Sequence, residues 1–406
     1  MNPAEHSHVI LVNRFYRPDE PATALMLTDL AEGLAARGHG VKIIASRARS
    51  AHASREERLD GVDVLRLRST HWGARLGIAG KAVDYLTFTA AARRALRTQL
   101  RPGMWLVAMT DPPALAPIAA AAARRANARL VHWIQDIHPE ISLALSGSRA
   151  QAMLASPFVR CRDAAWRHAE LCVAISRDMA SLISSHGVAQ GRIRVIPNWA
   201  PGGVRLSPPP PDQNPLRAEW GFADKFVIAY SGNLGRVHVL DPIIAAANLL
   251  KTESDIVFLF VGDGPQRTFL EKRAASLRLP NVRFLPAQPR DRLAESLCAG
   301  DVHLVTLRPG CENLVYPSKL YGILTVGRPV VYVGPGRCGL ADEIRTSGAG
   351  VVIDPGSPQA LASSLRELKD NPGRREAMGA AALRWSGQLG GLQAALDAWE
   401  EILASG

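Results

Sequence analysis

Short apolar runs rich in valine and isoleucine alternate with helix-length stretches along almost the whole chain, and the series runs twice. In the first half the strand candidates are Val9–Val12, Val41–Ala45, Val62–Leu67, Leu106–Thr110, Leu130–Ile134, Leu171–Ile175 and Ile193–Ile196. In the second half they are Val227–Tyr230, Val257–Val261, Val282–Leu285, Val302–Val305, Val330–Val333 and Val351–Ile353. A strand with no polar alternation is covered on both faces, and strands separated by helices pair in parallel. Ala24–Arg37 reads as a helix closed by Gly38, which suits a left-handed C-terminal cap. Ser176 is placed to cap the N-terminus of a helix reaching Ser185. Ile243–Leu250, Gln266–Ser276 and Ala360–Asp370 are the helical stretches of the second half. The pattern predicts an α/β chain with two doubly wound parallel sheets.

The break between the two series is sharp. Pro197-Asn198-Trp199 leads into Pro201-Gly202-Gly203 and then Pro208 to Pro211, four prolines that join neither a helix nor a central strand. The expected boundaries are a first domain over 1–200, a linker over 201–216 and a second domain over 217–389. The amphipathic stretch Leu392–Leu403, within a tail at 390–406, is expected to pack back on the first domain. A chain of 406 residues accommodates two such domains.

Composition removes several classes. The five cysteines (Cys161, Cys172, Cys298, Cys311, Cys338) are dispersed with no C-x-x-C pair, which argues against a disulfide framework or zinc site and for a reducing cytoplasm. The apolar run Ala114–Ala123 is too short to span a bilayer and reads as a buried helix, and the polar start Met1–His8 predicts no secretory signal. The expectation is a soluble protein.

The net charge of +11 implies anionic partners. Basic residues are densest between Arg66 and Arg101, beside Trp72, Leu76, Ile78, Tyr85, Leu86, Phe88 and Trp105. That mixture suits an anionic membrane surface, and equally a solvated helix face over a core. No nucleic-acid-binding module is visible, so nucleic acid is not an expected partner.

In open parallel sheets, ligands bind beyond the carboxyl ends of the strands. The loop Ser231-Gly232-Asn233-Leu234-Gly235-Arg236 follows the first strand of the second half and precedes a helix with Asp241 as predicted N-cap and Pro242 in the first turn. Glycines here let backbone approach a phosphate, and Arg236 can add a bidentate contact; a tight turn explains the glycines equally. Gly262-Asp263-Gly264-Pro265 is a second such turn, or an ordinary strand-to-helix connection. Pro317-Ser318-Lys319 offers backbone N–H groups, a hydroxyl and an ammonium together, although a solvated surface lysine explains Lys319 too. In the first half, Gln135-Asp136-Ile137-His138-Pro139-Glu140 gathers polar groups at a strand end. Asp136 either takes a proton from an acceptor or caps the next turn. The loop Asn13–Thr23, with Tyr16, is expected near the acceptor or as a plain surface loop.

With these pieces in order, the chain resembles the family 4 glycosyltransferases of GT-B fold, in particular those building O-antigen, capsular and colanic-acid-type exopolysaccharide repeat units. The resemblance is carried by Tyr16-Arg17-Pro18 and the stretch Leu30 to Val41, by Ala174-Ile175-Ser176 and by Ile193 to Asn198. It continues through Gly262 to Pro265, Asn281 to Phe284, Ala299 to Val302, Pro317 to Gly322 and Gly327 to Val330. It implies two Rossmann-like domains facing across a cleft. It also implies a retaining transfer from a UDP- or GDP-sugar to a lipid-diphosphate-linked acceptor, without bound metal or other cofactor. Gly232, Asn233, Gly235 and Arg236 occupy the family's diphosphate loop, with Ser318 and Lys319 supporting it. Gly262, Asp263, Gly264 and Gln288 would lie near the nucleoside. His138 is a candidate counterpart of a family histidine near the donor sugar. The family setting is the cytoplasmic face of the inner membrane, bound peripherally.

Two departures stand out. The family's Glu-x7-Glu positions are Leu314 and Gly322 here, with Glu312 out of register, and its Arg…Lys pair in the glycine loop is only Arg236. Both touch the ribose and sugar-hydroxyl contacts, and they resemble a subgroup associated with amino- and deoxy-sugar transfer. The mechanism implied is domain closure that excludes water, with leaving-group charge developing near Arg236 and Lys319 and the acceptor hydroxyl, attacking on the same face, losing its proton to a leaving-group oxygen. Three other readings remain open: a nucleotide-sugar epimerase, a catalytically silent nucleotide-binding scaffold, and a nicotinamide-dependent dehydrogenase. Against the last, neither half opens with G-x-G-x-x-G; the first has Asn13-Arg14-Phe15-Tyr16 instead.

Overall fold

A computed structural model describes residues 7–19, 21–47, 55–201 and 213–405 of the chain. It divides into two compact units: Met1–Asn198 with Asn313–Tyr316 and Leu392–Gly406, and Trp199–Glu312 with Pro317–Gly391. The four prolines Pro208 to Pro211 lie outside the described residues.

The strands of the first unit are β1 (His8–Val12), β2 (Gly40–Ser46), β3 (Glu56–Leu59), β4 (Val62–Leu67), β5 (Trp105–Ala108), β6 (Arg129–Ile134), β7 (Leu171–Ala174) and β8 (Ile193–Val195). They form one sheet in the order β3-β4-β2-β1-β5-β6-β7-β8, parallel throughout except for β3, which pairs antiparallel with β4. The chain winds outward from β1 through β2 to β4, then returns to β5 on the other side of β1. The crossover point therefore falls between β1 and β5.

The second unit holds β9 (Phe226–Ser231), β10 (Ile256–Val261), β11 (Val282–Leu285), β12 (Val302–Thr306), β13 (Val330–Val333) and β14 (Gly350–Ile353). All are parallel, in the order β11-β10-β9-β12-β13-β14, and the crossover point lies between β9 and β12. Side chains alternate across each strand, so this sheet builds two cores. Ile228, Tyr230, Phe258 and Phe260 join one with helix residues Ile243, Leu270 and Leu361, while Val227, Val257 and Leu259 join the other. A sheet buried on both faces explains why these strands read as unbroken apolar runs.

Ser176 caps its helix as expected, its hydroxyl accepting from the Met179 amide at 3.2 Å. Asp241 does not: the helix Asp241–Leu249 starts at that residue, and Leu240 precedes it with no side-chain cap. The run Ala114–Ala123 lies largely in the helix Leu115–Ala126, whose Ala119, Ala120 and Ala123 are buried. No helix among the described residues is long and apolar enough to cross a membrane.

The C-terminal helix Gly391–Ala404 packs within the first unit. Its Trp399 meets Trp133 of β6 edge to face at 5.4 Å, and the Trp105 indole of β5 donates to the Leu403 carbonyl at 3.2 Å. Arg37 reaches Asp397 and Glu400 on the same helix, both at 2.7 Å.

Candidate active site

In the second unit the polar groups gather at the crossover. Lys319 opens the helix Lys319–Thr325, and its Nζ lies 3.3 Å from the centre of the Tyr230 ring. That nitrogen is buried and has no hydrogen-bond partner. Burial pushes the Lys319 amine well below its ordinary range. A cation over a ring face gains ~2 kcal/mol when desolvated, less than losing water costs it. Among the described residues nothing balances that cost, and the nitrogen lies against a glycine. Gly232 is that glycine: a Cβ there would stand 3.7 Å from Nζ.

The loop after β9 is stitched to the loop after β10. The Gly232 amide donates to the Val261 carbonyl at 2.8 Å, Leu234 to Asp263 at 2.8 Å, and the Gln266 amide to Leu234 at 3.1 Å. The Gln266 side chain also donates to the Gly235 carbonyl at 2.6 Å. This close approach accounts for two glycines: Gly262 at φ 135° would drive a Cβ into the Gly232 carbonyl, and Gly264 at φ 153° would place one 2.6 Å from Asn233 Oδ1. Their first task is loop contact. Arg236 is exposed, and its carbonyl accepts from Arg308 at 3.2 Å. Asp263 is exposed and accepts from the Gly264 amide at 2.7 Å, while Gln288 donates locally, to the Pro286 carbonyl at 3.2 Å. Ser318 precedes the helix of Lys319 without capping it through its side chain. The fold brings Gly232, Asn233, Gly262 and Gly264 together, with Lys319 against Gly232.

In the first unit, β6 carries a polar series to the carboxyl edge. His132, Ile134 and Asp136 project to one side, by the two-residue period of a strand, and line a recess with Thr110, His138 and Trp166. Asp136 is half-buried, with its amide 3.4 Å from Thr110 Oγ1. Burial and then the neighbouring Asp111 raise its carboxyl from 3.8 to about 6. Burial lowers His138, with Lys81 and Arg162 adding to the effect against Glu140, so the ring is neutral at pH 7. The next amide, Ile137, donates to the Leu314 carbonyl at 2.9 Å. Leu314 is one of the two positions where the family has glutamate.

Tyr16 departs from expectation. It is fully buried, with Arg66 5.8 Å from its ring centre, so it shores up the loop and presents no surface to an acceptor. Two residues that motif reading passed over are Arg14 and Asp111. They follow β1 and β5, the strands that flank the crossover, and pair at 3.3 Å. Adjacency in the sheet is the only signal that joins residues so distant in sequence.

Residues 23–199 match the family described as Glycosyl transferase 4-like domain, and residues 212–385 match Glycosyl transferases group 1. A putative colanic acid biosynthesis glycosyl transferase, WcaI of Escherichia coli, is 32% identical over 60% of this chain and 61% of its own length. A probable glycosyltransferase, WbjE of Pseudomonas aeruginosa, is 27% identical over 58% of each chain. The chain thus spans about three fifths of the length of these two relatives. Anabaena HepE, solved with UDP-glucose, superposes with a TM-score of 0.74 at 17% identity, over 98% of this chain and all of that one. WaaG, a glycosyltransferase involved in lipopolysaccharide biosynthesis, gives 0.72 at 17% identity over 96% and 98%. The two domain matches, in series over two parallel-sheet units, agree with the motifs and with these relatives: the chain belongs to the family 4 glycosyltransferases of GT-B fold.

Proposed function

We propose that the chain is a retaining transferase that moves a sugar from a UDP- or GDP-sugar to a lipid-diphosphate-linked acceptor during surface polysaccharide assembly. The observation that carries the donor half is the buried, unpartnered Nζ of Lys319 beside Gly232. A diphosphate oxygen gives that ammonium the partner it lacks, and exposed Arg236 adds a second positive charge. As the bond between the anomeric carbon and the diphosphate oxygen breaks, its electron pair stays with the diphosphate, and both cations stabilise the growing charge. The acceptor hydroxyl attacks the anomeric carbon on the face the diphosphate leaves, and its proton passes to the Asp136 carboxylate. A carboxyl titrating near 6 is mostly ionised at neutral pH yet basic enough to accept a proton. His138, neutral, is left to hydrogen-bond a sugar hydroxyl. The reading requires no metal or other cofactor. An amino- or deoxy-sugar is favoured by the apolar Leu314 and small Gly322 at the family's glutamate positions. HepE's complex with UDP-glucose favours uridine.

For the acceptor, the support is surface chemistry. Trp72, Leu76 and Leu86 are exposed on or beside the basic helix Gly73–Gln99. The helix Arg149–His168 exposes Met153 at 78% and Leu154 at 82%, and no acidic residue falls between Ile141 and Arg162. Large apolar groups flanked by arginine suit an anionic bilayer surface, which fits a peripheral place on the cytoplasmic face of the inner membrane.

Thermal unfolding with UDP, GDP, UDP-glucose and NAD, each in excess, tests the donor half. A ligand at about 100 times its Kd adds ~2.7 kcal/mol to stability. A rise with UDP or GDP compounds alone supports the reading and names the base, and radiolabelled sugar appearing in a lipid extract completes it. A rise with NAD alone sinks it in favour of a dehydrogenase. Nucleotide binding with no transfer supports the scaffold, and release of an altered nucleotide-sugar without an acceptor supports an epimerase.

A further inference from the structure

Arg14, Asp111 and Asp136 follow β1, β5 and β6, three strands that lie side by side, and the Asp136 amide is 3.4 Å from Oγ1 of Thr110, the residue before Asp111. Arg14 Nη2 lies 3.3 Å from Asp111 Oδ2, and the Arg14 amide donates to the Asp111 carbonyl at 2.9 Å. The guanidinium is held from both sides, 4.2 Å from the centre of the Phe15 ring and 4.8 Å from that of Tyr85. Arg14 Nε and Asp111 Oδ1 are buried without hydrogen-bond partners. Asp136, the neighbour of Asp111 on the next strand, has no cation paired with it among the described residues. One positive charge is thus committed to one of two adjacent carboxylates.

We propose that Arg14 and Asp111 form a positioning pair that determines the protonation of Asp136. Two nearby carboxylates resist simultaneous ionisation; burial raises both, but the Arg14 guanidinium draws Asp111 back down while Asp136 has no such cation, so Asp136 is the one that takes up the proton first. The assignment rests on the reading of Asp136 as the group that accepts the acceptor's proton. It adds that this ability is set by residues that touch neither substrate. The other groups around this edge are Lys81 and Tyr85 from the helix Gly73–Gln99, His132 and His138 from β6 and its loop, and Arg162 from the helix Arg149–His168. Burial keeps His132 and His138 neutral near pH 7. Burial raises the Tyr85 phenol, so it stays un-ionised there. Burial supplies the larger part of the rise at Asp136, and Asp111 is the neighbour whose charge adds to it.

The test is a carbon-13 NMR titration of the full chain labelled at aspartate Cγ, with Asp136 identified by the signal lost in D136N. D111N removes the repelling anion and should lower the Asp136 midpoint by about one pH unit. R14Q releases Asp111 from its cation, so the two carboxylates contend for one proton, and the highest midpoint of the pair should rise by about one unit. R14K, which keeps the charge, should bring it back toward wild type. Opposite shifts from the two halves of one ion pair are not what general loosening of the loop produces. Midpoints that fail to move, or that move together in both variants, overturn the proposal. The titration needs no substrate, so it stands apart from the assignment of Asp136 as base, which fails if D136N transfers sugar at the wild-type rate.

Discussion

Arg162 forks onto both carboxylate oxygens of Glu140, with Nη1–Oε2 at 2.5 Å and Nη2–Oε1 at 2.7 Å. The same Nη1 donates to the His138 carbonyl at 2.8 Å, and Nη2 reaches Asp163 at 2.7 Å. The guanidinium is buried and lies 4.1 Å from the centre of the Trp166 ring. His186 completes the set through Nδ1 to Asp163 at 2.8 Å. The loop that presents Asp136 and His138 is therefore fastened from behind by one side chain. Removing one partner of a buried pair costs about 3–5 kcal/mol. R162A should lose that much in denaturant unfolding, and R162K should fall between, because an ammonium keeps the charge but not the fork. Wild-type stability in R162A would show the network to be ornamental.

Lys319 makes the opposite trade. Its ammonium is buried without a hydrogen bond, so the free protein bears a desolvation cost while the amine is charged. A depressed lysine pKa means that this cost is full at low pH and vanishes above the ordinary value of 10.5. K319M should therefore unfold at a higher temperature than wild type at pH 7. It should also lose most of the stabilisation by UDP or GDP. Both changes are read in one melting experiment, and a variant with unchanged nucleotide response would remove Lys319 from the donor site.

Asp136 yields a pH-dependent version of the same trade. Its carboxyl titrates near 3.8 when unperturbed and near 6 in the fold, so well below 3.8 it is protonated in both states and costs nothing. As pH rises through 6 it ionises in the fold, and the stability contributed by the protonated form is lost. D136N should match wild type in melting temperature at about pH 3 and exceed it at about pH 8. The same variant should transfer sugar at less than about 1% of the wild-type rate, the typical worth of a general base. Equal melting temperatures at both pH values would show that Asp136 is not perturbed.

Most of the sheets was legible in the sequence because both are covered on both faces. Val62–Leu67, Val282–Leu285 and Val330–Val333 have the boundaries their apolar runs predict. β3 escaped because Glu56–Leu59 is a charged edge strand with only its last residue apolar, and its pairing with β4 supplies what its composition does not. Asp241 looked like a cap because residue type alone does not fix where a helix begins. The candidate sites were half legible. Glycine loops and the Asp136 segment announce themselves at strand ends. Arg14 against Asp111, and Lys319 over Tyr230, exist only once strand order is known. Tyr16 shows the converse, since a motif residue in a surface-reading loop is buried by its neighbours.

Met153 and Leu154 test the membrane reading. They are nearly fully exposed, so replacing both with serine removes no packing, and surface changes of this kind alter stability by less than about 0.5 kcal/mol. M153S/L154S should keep its melting temperature and sediment less with vesicles containing anionic lipid, while its response to UDP or GDP stays unchanged. Equal sedimentation of wild type and variant would exclude this helix from the contact.

Gly262 separates the loop-contact role of the glycines from a direct role toward nucleotide. At φ 135° the residue lies where side chains are disfavoured, and an added Cβ would meet the Gly232 carbonyl. The Gly232 amide already donates to Val261, so the loop has nowhere to withdraw without breaking that bond. G262A should destabilise the second unit by about 1–3 kcal/mol, the usual cost of such a backbone conformation. The displacement would pass to Gly232 and so to the glycine next to Lys319. Nucleotide binding should weaken with it, although residue 262 need never touch the ligand. If G262A loses nucleotide binding with full stability, the glycine instead leaves room for the ligand itself. If stability falls while binding holds, the two loops are coupled only structurally, and the diphosphate must be sought nearer Arg236.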